Sequence, residues 1–156
     1  EIDIVLVHDA VRPLVRLDLI KRVAACAAER GAAIAAIPAV ATIKELNDEG
    51  RIVDTPPRDR LWMAQTPQGF DRDLLLRAHE SARQEGTRGT DDAGLVEALG
   101  EAVYVVKDSP ENIKITTPED TAIAETILGY QARRRCPAAR LNIPGNDVFP
   151  PYDTGK

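Results

Sequence analysis

The sequence predicts an α/β domain with a mostly parallel sheet and one projecting β-hairpin. Three observations carry this. Short β-rich runs at 2–7 and 32–37 alternate with longer segments whose apolar residues recur at helical spacing. Glycines at 31, 86 and 100 stand where helix stops belong. Two charged, extended pieces flank Asn47-Asp48-Glu49-Gly50, a turn sequence.

The elements follow in order. Residues 2–7 form a short β-branched run that reads as a buried strand and ends at His8-Asp9. Arg12-Pro13 turns the chain. Leu17, Ile20, Val23, Ala24 and Ala27 mark a helix over 17–30, and 32–37 is a second strand closed by Pro38. Segments 41–46 and 51–54 make the hairpin, an arm spanning about 39–60, with Thr42 and Lys44 on one face by the period of two. Residues 61–70 hold Gln65-Thr66-Pro67-Gln68 and read as a loop. A helix covers 71–85, and a short one covers 90–99 with Thr90 or Asp91 as its cap. Strand 102–106 and an extended piece at 112–115 come next. Thr117-Pro118-Glu119-Asp120 is a helix start: a capping Thr, Pro at the first helical position and two acids in the first turn. That helix runs to about 133. Residues 134–156 hold prolines and glycines without periodicity and read as an irregular tail.

The chain has 156 residues, with 20 basic and 25 acidic side chains and a net charge of −5. This length suits one domain, over 1–133 before the tail. The mild acidity argues against a nucleic-acid partner. No apolar run reaches the length of a membrane span, and the first residues do not read as a signal peptide, so the expected compartment is the cytoplasm with no membrane partner. Two cysteines, Cys26 and Cys136, are too few for a disulfide scaffold. The chain opens on Glu1 and runs straight into a strand, which reads as a fragment or a trimmed chain.

No Walker A sequence, G-x-G-x-x-G, H-E-x-x-H or C-x-x-C motif is present. No Ser lies in a nucleophile elbow, which disfavours classical acyl-transfer chemistry. What remains is Asp9 at a strand end, with Arg12 three residues on. A carboxylate there suits Mg²⁺, which takes one or two carboxylates plus substrate phosphates. An adjoining Arg suits a phosphate. A plain surface Asp–Arg pair fits the same residues. Thr42, Lys44, Arg58, Thr66 and Lys114 form a second polar set. Lys114, between Ile113 and Ile115, needs a carboxylate or an anionic ligand if it is buried. By strand alternation His8 turns to the side opposite Asp9 and reads as structural. Trp62 and Phe70 read as packing at the base of the arm, and His79 needs no role.

Five blocks in order resemble the 2-C-methyl-D-erythritol 4-phosphate cytidylyltransferase family. They are Val5-Leu6-Val7-His8-Asp9-Ala10-Val11-Arg12-Pro13; Thr42-Ile43-Lys44-Glu45; Arg58 to Phe70 with its Gln65-Thr66-Pro67-Gln68; Thr90-Asp91-Asp92-Ala93; and Glu111-Asn112-Ile113-Lys114-Ile115-Thr116-Thr117-Pro118-Glu119-Asp120. The likeness spans about 1–130. It implies a partial Rossmann-like nucleotidyltransferase sheet with a β-hairpin arm, and a homodimer interlocked through that arm. It also implies the reaction: a phosphate oxygen of methylerythritol phosphate attacks the α-phosphorus of CTP, and pyrophosphate leaves. The implied catalytic residues are Asp9, which also holds Mg²⁺, with Arg12 and Lys114. Thr42, Arg58, Thr66 and Thr90 would bind substrate, the first two from the partner's arm. Thr90 fits a plain helix cap equally well, and Glu111 is a candidate second carboxylate for the metal. The resemblance further implies an N-terminal region with a Gly-rich loop for CTP. Residues 1–156 contain no such loop, so this chain alone is expected to have little or no activity. Two other readings stand beside it: a ribitol 5-phosphate cytidylyltransferase, and a non-catalytic dimerisation or sugar-phosphate-binding fragment.

Overall fold

The computed structural model describes residues 3–135, without the side chain of Arg135. The irregular tail expected after 134, and Cys136 within it, lie outside the described residues apart from the last helical turn. The elements are β1 (Ile4–Val7), α1 (Leu17–Arg30), β2 (Ala32–Pro38), β3 (Glu45–Leu46), β4 (Ile52–Asp54), a 3₁₀ turn at Arg58–Arg60, β5 (Trp62–Asp71), α2 (Arg72–Glu85), α3 (Asp92–Ala98), β6 (Tyr104–Lys107) and α4 (Pro118–Arg135).

Four strands form one sheet in the order β1-β5-β2-β6. The sheet is mixed and not mostly parallel as expected. β5 lies antiparallel to both β1 and β2, and only β2 and β6 pair in parallel. The segment expected to be a loop is β5 itself, a central ten-residue strand. Pro67 sits where the β2–β5 register shifts, so its missing N–H does not interrupt a regular ladder. β1 is half-buried rather than buried, because among the described residues it lies at the sheet edge.

The period of two sorts the strand residues onto two faces. Ala33 and Ala35 of β2 pack with Leu19, Val23 and Ala27 of α1. Ala32 and Phe70 face the other way, against Leu74, Leu75 and Ala78 of α2 and Ala93 and Val96 of α3. The result is a three-layer sandwich. Phe70 is fully buried in this second core and not at the base of the arm, whereas Trp62 is 42% exposed. Cys26 is a half-buried neighbour of the α1 core.

Local chemistry sets the helix ends. Asp71 accepts from the Leu74 N–H and caps α2, and Asp91, not Thr90, caps α3 by accepting from Gly94. Asp120 reaches back to the amides of Thr116 and Thr117, while the Thr117 hydroxyl accepts from the Asp120 N–H. This is the reciprocal arrangement of a capping box.

The hairpin pairs only Glu45 with Asp54 and Leu46 with Ile52. Asn47 Oδ1 accepts from the amides of Glu49 and Arg51 and closes its turn. Thr42 and Lys44 precede the paired residues, so the expected strand face for them is shorter than the sequence pattern suggested. Residues 112–115 are not a strand either. They form an irregular segment fastened by the Ile115 N–H to the Val11 carbonyl at 2.8 Å.

Candidate functional site

The site lies beyond the carboxyl ends of β1 and β6, where open α/β sheets bind ligands. β1 ends at Val7 and delivers residues 8–13. β6 ends at Lys107 and delivers residues 108–116. β5 passes between them and contributes residues 64–68. A polar cavity of about 420 Å³ opens there, lined among others by Asp9, Arg12, Thr66, Gln68, Thr90 and Lys114.

Asp9 is the electrostatic centre. Its Oδ2 lies 3.2 Å from Lys114 Nζ and 3.4 Å from Arg12 Nε. Burial pushes its carboxyl up, but Lys114 and then Arg12 outweigh that and hold it below the usual aspartate range. At neutral pH it is therefore an anion between two cations. Lys114 has its carboxylate, as an apolar flank demands, and stays half exposed on the cavity wall.

Thr66 ties β5 to the Asp9 loop. The Asp9 N–H donates to Thr66 Oγ1 at 3.0 Å, and the same hydroxyl lies 2.8 Å from His8 Nδ1. An oxygen that accepts from the amide has its proton left for Nδ1. Nε2 then carries the ring proton and donates to the Arg12 carbonyl at 3.1 Å. His8 is thus a brace of this loop. It does not line the cavity, as the structural reading of it expects.

Asp9, Arg12, Thr66, Thr90 and Lys114 line one cavity. Thr42 and Arg58 do not line it. Arg58 Nη1 donates instead to the Val40 carbonyl, and Lys44 Nζ donates to Thr55 Oγ1 at the base of the arm. Glu111 faces a separate cavity with Arg16, Gln131 and Arg134, and accepts from Gln131. It is not a second carboxylate beside Asp9.

Several residues escaped the sequence reading. Gln68 is buried, donates to Asp91 Oδ2 at 2.7 Å and accepts from the Ala93 N–H, clamping the start of α3 to the sheet. Recognising 62–71 as a strand would have exposed it, since Gln68 shares the inward phase of Phe70. Asp92 lines the cavity and meets His79 at 2.8 Å, which gives that histidine a contact the sequence did not suggest. Asn112, 3% exposed, bonds three segments of the site; the sequence marked it only as part of the last resemblance block, with no role of its own.

Among the described residues no three metal-ligating side chains cluster. Asp9 offers one carboxylate, already facing two cations. That donor set fits a divalent ion carried in on phosphates, not one held by protein ligands alone.

The mixed sheet flanked by helices, with its charged cleft at the strand ends, is the architecture of solved α/β nucleotidyltransferases. Likeness to known proteins makes this particular. The profile of IspD, 2-C-methyl-D-erythritol 4-phosphate cytidylyltransferase, matches residues 1–130, and the chain belongs to that family. It is 47% identical over 134 residues to the 2-C-methyl-D-erythritol 4-phosphate cytidylyltransferase of Desulforamulus reducens, covering 86% of this chain and 56% of that protein. It is 44% identical to a protein of Desulforudis audaxviator named bifunctional enzyme IspD/IspF, over 97% of this chain and 40% of that one. The crystal structure of the cytidylyltransferase from Thermus thermophilus superposes with a TM-score of 0.73 at 39% identity, covering 81% of this chain and 62% of that one. The chain thus spans a little over half the length of the curated single-function relatives it matches.

Proposed function

We propose that residues 1–133 form the acceptor side of a cytidylyltransferase that joins 2-C-methyl-D-erythritol 4-phosphate to the cytidylyl group of CTP and releases pyrophosphate. The observation that carries this is the convergence of Asp9, Arg12 and Lys114 in one polar cavity, from positions about a hundred residues apart in the chain. In the step proposed, a phosphate oxygen of the acceptor bonds to the α-phosphorus of CTP. The bond from that phosphorus to the β-phosphate's bridging oxygen breaks, and pyrophosphate departs with the electron pair.

Such a transfer asks the protein for placement and charge neutralisation. Lys114 supplies a compact positive charge beside the phosphates, and Arg12 a planar one toward the acceptor. Asp9, ionised by its neighbours, holds both cations in place and is a poor proton donor. Thr66 completes the pocket around the substrate, and Thr90 faces the acceptor's hydroxyls. Mg²⁺ held by the triphosphate, with Asp9 as its protein ligand, would neutralise phosphate charge. No Gly-rich triphosphate loop occurs in residues 1–156, so little turnover is expected of this chain alone.

The arm supports a homodimer reading. Leu46, Ile52 and Val53 are each more than half exposed on it. Thr42 and Arg58 lie away from their own cavity, which agrees with the partner subunit's Thr42 and Arg58 gripping the acceptor phosphate. Among the described residues no helix is long and apolar enough to cross a membrane. A cytoplasmic site of action is part of this proposal.

Calorimetric titration of the folded chain tests it. The sugar phosphate is expected to bind, and to lose binding in Lys114→Met and Arg12→Ala. CTP with Mg²⁺ is expected to bind weakly. Absence of sugar-phosphate binding by a folded dimer, or a preference for ribitol 5-phosphate in a substrate panel, would overturn the assignment.

A further inference from the structure

We propose that Asn112 is a positioning residue that sets the placement of the Arg12 guanidinium without touching substrate; its link to catalysis rests on the function proposed above. The side-chain amide of Asn112 uses both its hydrogens. Nδ2 donates to the Thr66 carbonyl at 2.9 Å and to Asp108 Oδ2 at 2.8 Å. Its main-chain carbonyl accepts from Arg12 Nη1 at 2.7 Å and from Gln65 Nε2 at 3.3 Å. One buried residue therefore binds the segment after β6 to β5, and offers the oxygen that aims Arg12.

Arg12 is gripped at two points: Nη1 by this carbonyl and Nε by Asp9. Two contacts on a planar group fix its plane as well as its position. Asp9 is placed in turn by its amide on the Thr66 hydroxyl, and Thr66 is itself held through its carbonyl by Asn112. Both groups that face Arg12 are thus set by one side chain. Asn112 Oδ1 and Gln65 Oε1 are buried and find no hydrogen-bond partner among the described residues. A second tie, from the Ile115 N–H to the Val11 carbonyl, keeps the two loops together when the amide is removed. Loss of Asn112 should therefore disturb aim more than attachment.

The test is nuclear magnetic resonance of the Arg12 guanidinium in the 156-residue chain. In the native chain its Nε and Nη protons should be resolved and exchange slowly, because rotation about the guanidinium bonds is hindered. In Asn112→Ala, with dispersed backbone amides showing that the fold persists, these signals should collapse to those of a freely rotating arginine. Asp108→Ala removes one of the two acceptors at a half-buried position and should give a partial collapse. It decides the matter if Asn112→Ala fails to fold. Sugar-phosphate affinity should fall on the order of 10- to 100-fold in Asn112→Ala. Unchanged Arg12 signals in the folded variants, or freely rotating ones in the native chain, would overturn the proposal. Failure of the native chain to bind the sugar phosphate would sink the functional reading instead, and leaves the Arg12 signature to judge Asn112 by itself.

Discussion

Replacing Gly69 by alanine adds a methyl group where α1 packs against β5. A Cβ at this position would stand 2.9 Å from Leu6 Cδ2, 3.1 Å from Val23 Cγ1 and 3.2 Å from Ala27 Cβ. The contact with Leu6 is cheap to relieve, because that side chain is flexible and 37% exposed. The other two are not. Val23 and Ala27 are fully buried on the inner face of the helix and have nowhere to turn, so α1 must retreat by a few tenths of an ångström. Overpacking of this kind destabilises by about 1–3 kcal/mol. For a domain of this size that lowers the melting temperature by roughly 4–12 °C. Thermal unfolding followed by circular dichroism reads the change. Val23→Ala in the same chain makes room, so the double variant should be less destabilised than the two single changes added together, with a coupling of about 0.5 kcal/mol or more. An unchanged melting temperature in Gly69→Ala, or strict additivity in the double variant, would refute the argument that helix and strand meet at this glycine.

Other expectations follow from the same structure. Phe70→Ala should lose about 3–5 kcal/mol in urea unfolding, since the ring is fully buried between β2 and α2. Asp71→Ala removes the cap of α2 and should lose about 1 kcal/mol, with Asp71→Asn retaining most of it. Asp9 titrates below its ordinary value, so its contribution to stability is present above the unfolded pKa and disappears as pH falls through the lower, folded one. Lys114→Met removes the principal cause of that lowering. The rise of melting temperature from about pH 2 to pH 5 should then be shallower than in the native chain.

The helices were legible because their signals are local. Apolar residues at helical spacing and a glycine stop are written within one segment, and α1 and α2 begin and end within a residue of where these marks place them. β5 was not legible for the opposite reason. Its Gln65, Thr66 and Gln68 are polar because they face the cavity and the cap of α3, and that composition imitates a loop. Strand direction was also hidden. Nothing in the residues of β5 records that it runs against β1 and β2, since direction follows from the connections. At the site, Lys114 was marked by its apolar flanks and Asp9 with Arg12 by their place at a strand end, and the resemblance joined the three. Asn112 and Gln68 act through hydrogen bonds to main chain and neighbouring side chains, and an amide in a short irregular stretch looks like any surface residue.

The cavity joins residues that are far apart along the chain: Arg12 bonds to Asn112 across a separation of one hundred. Closing so long a loop is entropically expensive and rewards the chain only once both ends have arrived. The wall of the site is therefore expected to close only after the sheet that carries both segments has paired. A phosphate ester that grips Arg12 and Lys114 together spans that seam as a removable cross-link. Its binding would register as slower unfolding and as resistance to proteases throughout the domain, far from any residue it touches.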